Sequence, residues 1–225
     1  MEGVQRWANL TLRDPIWEAK YKTMIDKNKI VGMNMSPAET QAFIKNLGKR
    51  VLTFFGYSVN YENEEAMLAI VKRGLAKIPP NAVLINIGAT ASGIGAVYPL
   101  AKAMGFTTTG IVSSLAAKHI ENISEAVDHV CFVSDTQWGG KLAGSNQLSP
   151  TSQAMVACSD VMVAIGGGEV TRDELTRGKA LGKPVYFYPA EVSHQQLIQR
   201  AHKMNAPLPR SFWGAAHEVF GKQDS

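Results

Sequence analysis

The chain has 225 residues and a mass of 24.4 kDa, enough for one domain with a sizeable core that needs no disulfide or metal staples. Hydrophobic residues make up 45% and charged residues 19%, a balance that excludes global disorder. The net charge of +4, with a pI near 9.0, suits anionic small ligands and is too weak and dispersed to point to nucleic acid.

Two cysteines, Cys131 and Cys158, rule out a disulfide framework, and their apolar neighbours read as those of reduced core thiols. The histidines show no metal-binding spacing, so neither a metal nor a cofactor is implied. The first residues lack the apolar core of a signal peptide. Residues 81–100 carry no Lys, Arg, Asp or Glu, yet Asn86, Thr90, Ser92, Pro99 and several glycines make them a poor membrane span. The expectation is a cytoplasmic protein with neither membrane nor nucleic acid as a partner.

In chain order, residues 1–35 read as an N-terminal arm with patchy periodicity, in which Trp7, Trp17, Met24, Met33 and Met35 offer packing surface to a partner chain or to the protein itself. Ser36, Pro37 and Glu39 form a helix-start signature: a cap, a proline suited to the first turn, and the second half of a capping box. Strands are predicted over 50–56, 82–88, 107–113, 129–133, 161–165 and 184–188. Helices are predicted over 62–77, up to residue 104, over 150–159, from about 171, and over 192–203. Short apolar strands alternating with helices predict an α/β, Rossmann-like fold: a parallel sheet with helices on both faces, spanning 36–204. Residues 205–225 form a C-terminal tail with a short helix around Phe212, Trp213 and Phe220.

In an open parallel sheet, ligands bind at the carboxyl ends of the strands. Three such ends carry small residues followed by helices: Gly56-Tyr57-Ser58; the loop Gly88-Ala89-Thr90 with Ser92, Gly93 and Gly95; and Gly166-Gly167-Gly168. Helix N-termini attract phosphate and glycine lets backbone approach it, so the three together favour a nucleotide or sugar-phosphate pocket. Ser113 and Ser114, at the end of another strand, are further candidate lining residues. The segment GATASGIG, with Tyr98 and Lys102 as a YxxxK pair, is similar to the glycine loop of short-chain dehydrogenases. It departs from that pattern in loop spacing, in strand order, and in placing Tyr98 and Lys102 within about three helical turns of the glycines.

The segment DVMVAIGGGEVTRDEL, from Asp160 to Leu175, resembles the Lonely-guy (LOG) phosphoribohydrolases and the wider SLOG nucleotide-binding superfamily, in which a strand runs into PGGxGTxxE. Gly167 and Gly168 match the paired glycines, Thr171 the threonine and Glu174 the glutamate. The element order is similar from about residue 50 to 203. Gly166 stands in place of the proline and Val170 in place of the third glycine. The Arg-Lys pair of the phosphoribohydrolases falls on Thr151 and Ser152. The resemblance implies a homodimer that binds a nucleotide-like small molecule, with cleavage of an N-glycosidic bond as the family activity. The missing pair favours binding over turnover, as a sensor of a nucleotide or ADP-ribose-like ligand. An interaction protein on a degenerate enzyme fold is a further alternative.

Glu174 admits two readings. Thr171 to Glu174 spells a capping box, in which the carboxylate only satisfies a helix-start N–H. In the functional reading it is the catalytic residue, facing a ribose and stabilising an oxocarbenium-like centre. Residues 135–149 lack periodicity, as a binding loop or a packed surface loop would. In it Trp138 is placed to stack on a base, and Lys141, like Arg172 and Arg177, to offer charge to a phosphate or to face water.

Overall fold

The computed structural model describes residues 29–221. Seven strands form one sheet: β1 (Ile30–Met35), β2 (Arg50–Phe55), β3 (Val83–Ile87), β4 (Thr107–Ser113), β5 (His129–Val133), β6 (Val161–Ile165) and β7 (Val185–Tyr188). Their spatial order is β1-β5-β4-β3-β2-β6-β7, and every neighbouring pair is parallel. This is the expected Rossmann-like α/β fold. The chain steps outward from β2 through β3 and β4 to β5, then returns to lay β6 on the other side of β2. The order therefore reverses at the β2–β6 boundary, where such sheets open a crevice.

Among the described residues seven α-helices cover the faces: α1 (Pro37–Asn46), α2 (Glu64–Leu75), α3 (Val97–Ala103), α4 (Pro150–Cys158), α5 (Glu169–Ala180), α6 (His194–Lys203) and α7 (Ala215–Phe220). The capping box at α1 forms as expected: Ser36 Oγ accepts from Glu39 N–H at 3.2 Å, and Ser36 N–H donates to the Glu39 carboxylate at 2.8 Å. Strand alternation sends neighbours to opposite faces. Phe54, Ile85 and Phe132 join one core cluster with Met67 and Val71 of α2 and Tyr98 of α3. Phe55, Leu84 and Cys131 join the other with Ile44 of α1, Met155 of α4, Leu175 of α5 and Phe220 of α7. With both faces covered, the strands are near-continuous apolar runs, which is why they are legible in the sequence.

Residues 30–35, grouped with the arm in the sequence reading, form edge strand β1. Its pairing with β5 is irregular, with register shifts on both sides of Gly32, so the segment lacks clean alternation. Met33 packs into one core cluster and Met35 against the other, so both are used within the chain. Trp7, Trp17 and Met24 lie outside the described residues. Residues 114–122, for which no element is predicted, form a 3-10 segment kinked at His119. Cys131 and Cys158 are free and buried, and burial pushes the Cys158 thiol up to about 12. Among the described residues no helix is long and apolar enough to cross a membrane, and no cluster of His, Cys, Asp or Glu is suited to a metal ion.

Candidate functional site: a cavity at the switch point

The carboxyl ends of β2, β3 and β4 and the start of α5 enclose a cavity of about 590 Å³. That lies within the roughly 300–1,000 Å³ typical of small-ligand pockets. Eight of the residues singled out from the sequence line it: Gly56, Ser58, Gly88, Thr90, Ser113, Trp138, Thr171 and Glu174.

Eight others are outside the lining and serve the scaffold. Tyr57 is a buried strut. Its hydroxyl donates to Ala190 O at 3.1 Å and accepts from Gly214 N–H at 2.8 Å, tying the C-terminal tail to the end of β2. Ala89 is buried with φ 59°, and its N–H donates to Tyr98 Oη at 3.1 Å. Ser92 Oγ donates to Ser58 O at 2.8 Å. Gly93, with φ +60°, lies where a Cβ would strike the Tyr57 and Val59 carbonyls, and Gly95 packs on Thr90. Close packing of the loops accounts for these glycines.

The third glycine bend is roofed by the tail. Gly167 O accepts from Ala216 N–H at 3.1 Å, and a side chain on Gly214 would run into that same carbonyl. Gly166, with φ +59°, is wedged between Tyr57 and Ala190 O. Gly168 caps α5 in an extended conformation. Of the three bends, two reach the cavity directly. The third reaches it only through Val170, Thr171 and Glu174 of the helix that follows.

Because α5 starts at Glu169, earlier than predicted, Thr171 and Glu174 do not form a capping box. Thr171 Oγ1 instead donates to Gly56 O at 3.2 Å, stitching α5 to the end of β2. Glu174 turns inward and is only 4% exposed. Its Oε1 accepts from Ser152 Oγ–H at 2.6 Å, while Ser152 Oγ accepts from Gly140 N–H at 2.7 Å. Burial pushes the Glu174 carboxyl up to about 8; the Ser152 hydrogen bond pulls it down and the neighbouring Asp173 charge raises it. At neutral pH the side chain is mostly the neutral acid, a hydrogen-bond donor.

Among the described residues no lysine or arginine lines the cavity. The cations proposed from the sequence are engaged elsewhere: Arg172 pairs with Asp173 at 3.0 Å and Lys141 with the same carboxylate at 3.9 Å, while Arg177 lies on a separate groove. The N-terminus of α4 is likewise occupied. Asp135 accepts from Thr151 N–H at 2.8 Å and from Gln137 N–H at 2.9 Å. Burial favours protonating Asp135, but those N–H bonds hold it below the usual carboxylate range. Thr151 Oγ1 is buried beside this carboxylate without completing a hydrogen bond.

The remaining walls are apolar, with Phe55, Ile87, Ile111 and Met155 among them. The mouth is aromatic: Trp138 is 57% exposed, and its ring lies 6.2 Å from that of His119. The loop carrying Trp138 is ordered by an antiparallel bridge between Lys141 and Leu148 and by Ser149 N–H donating to Gly140 O at 2.7 Å. His119, Asn122 and Ile111 are lining residues that the sequence reading does not single out. Apolar lining is indistinguishable from core in a sequence, and the kinked 3-10 segment has no period to reveal it.

The dehydrogenase-like pair is structural. Tyr98 Oη is buried and donates to Thr109 O at 2.9 Å, and Lys102 pairs with Asp128 at 2.6 Å.

No protein-family model and no curated protein matches the chain. Solved structures do. The structural-genomics target TM1055 is 20% identical over 76% of this chain and 79% of its own, with a TM-score of 0.45. A molybdenum cofactor carrier protein from Chlamydomonas reinhardtii is 22% identical over 71% of this chain and 86% of its own, with a TM-score of 0.45. The molybdenum cofactor binding protein from the phototrophic bacterium Rippkaea orientalis is 22% identical over 70% of this chain and 85% of its own, with a TM-score of 0.47.

Proposed function

We propose that the chain binds a nucleotide-like small molecule in the switch-point cavity and holds it without turning it over. The observation that carries this reading is the cavity itself, which lies where the strand order reverses and keeps one buried carboxyl, Glu174, on its wall. The nucleotide-like class comes from the sequence resemblance around Gly167, Gly168, Thr171 and Glu174. Two features argue against N-glycosidic cleavage. Thr151 and Ser152 supply no positive charge where the resembled hydrolases carry Arg-Lys. A neutral Glu174 also gives little support to an oxocarbenium-like centre. The same neutral carboxyl favours one rival reading, in which it protonates a leaving base as a general acid.

The test is a thermal shift with nucleoside monophosphates, followed by chromatography after long incubation. A ligand present at 100 times its Kd adds about 2.7 kcal/mol, which for a chain of this size raises Tm by roughly 5–10 °C. Stabilisation by a nucleotide recovered intact is expected. Release of free base by the parent but not by Glu174→Gln establishes the general-acid reading, and the absence of any shift refutes both. A homodimer, implied by the same resemblance, belongs to this proposal.

A further inference from the structure

The cavity has few means of holding charge. Among the described residues no lysine or arginine lines it, the N-terminus of α4 is already occupied by Asp135, and the Gly166–Gly167 turn lies under the C-terminal tail. The Glu174 carboxyl receives the Ser152 hydroxyl on Oε1, and Thr151 Oγ1 is buried beside the Asp135 carboxylate. The rest of the lining sets the apolar Phe54, Phe55, Ile87, Ile111 and Met155 beside uncharged polar residues such as Ser58, Thr90 and Asn122. A phosphate driven into such a space loses its hydration and meets no cation. An uncharged ring loses little and gains contact with Ile87, Ile111 and Met155.

We infer that the cavity recognises its ligand by an uncharged planar ring, inserted edge-first so that Glu174 donates a hydrogen bond to an acceptor on that edge, with any phosphate left outside and contributing little affinity. The inference rests on the reading of this cavity as the ligand site and specifies which end of the ligand enters. The Ser152 hydroxyl takes one carboxyl oxygen, which leaves the other to carry the proton toward the cavity. Ring nitrogens and ring carbonyls are acceptors of the required kind, so purines and related lactam heterocycles are the class that fits.

The experiment compares adenine, hypoxanthine, adenosine, adenosine 5′-monophosphate and ribose 5-phosphate by calorimetry and thermal shift on the full chain at pH 7. A base or its nucleoside is expected to bind within about tenfold of the monophosphate, with ribose 5-phosphate giving no shift. Glu174→Leu is expected to weaken the base at least tenfold. Glu174→Gln, which keeps both a donor and an acceptor, is expected to recover most of that loss. Binding of the monophosphate and ribose 5-phosphate with both bases silent overturns the inference while leaving the site assignment standing. Silence of every probe overturns both. Base binding undiminished in Glu174→Leu, or no better in Glu174→Gln than in Glu174→Leu, removes the donor role and with it the inference.

Discussion

Replacing Glu174 by glutamine tests the buried carboxyl without touching a ligand. The folded environment raises this group from an ordinary value of 4.5 to about 8. Between those values the folded chain keeps a proton that the unfolded chain has released, so this group makes the parent less stable as pH rises through that window. The effect levels off above about pH 8. Worked from the two values, the cost is below about 1 kcal/mol at pH 5, about 3 kcal/mol at pH 7 and nearly 5 kcal/mol at pH 9. Glutamine keeps an oxygen for the Ser152 hydroxyl and does not titrate. Urea denaturation of both proteins at pH 5, 7 and 9 isolates the effect, because the other titrating groups cancel in the difference. The variant is expected to gain on the parent by about 4 kcal/mol between pH 5 and pH 9. A gap that stays constant within about 1 kcal/mol over that range would mean that Glu174 is solvated when folded and that the neutral-acid argument is wrong.

Asp135→Ala removes the carboxylate that caps α4, and should cost about 0.5–2 kcal/mol in urea melts at pH 7. The loss should shrink as acid protonates the parent's carboxylate, since that group is held low only in the folded state. Tyr57→Phe removes the hydroxyl shared by Gly214 N–H and Ala190 O, and should destabilise by about 1–3 kcal/mol. Hydrogen exchange should speed up at Gly214 and Ala216, and unchanged protection there would show that the tail is held by other contacts.

Legibility followed burial and period. Strands β4, β5 and β6 are predicted to the residue, because TTTGIVS, HVCFV and VMVAI are apolar-rich runs between turn residues and lie buried on both faces. β1 escapes the same reasoning because IVGMNM contains glycine and asparagine and pairs through register shifts at an edge. At the site, Gly56, Gly88 and Ser113 are visible because small residues at strand ends are unusual. Ile87 and Ile111 are invisible because an apolar wall and an apolar core use the same residues. The glycines that mislead are Gly93, Gly95, Gly166 and Gly167, where close backbone approach to the chain itself leaves the same mark as close approach to a ligand. Thr171 and Glu174 spell a cap in one dimension. A helix that begins at Glu169 turns both residues to other uses.

The Ser152 hydroxyl faces two ways, its oxygen toward Gly140 and its hydrogen toward Glu174. One side chain thus joins the buried carboxyl to the segment that carries Trp138, two hydrogen bonds away. Peeling that segment back would take the Gly140 N–H from the Ser152 oxygen while the Ser152 hydrogen stays with Glu174, so the cost of opening falls on the Gly140 amide.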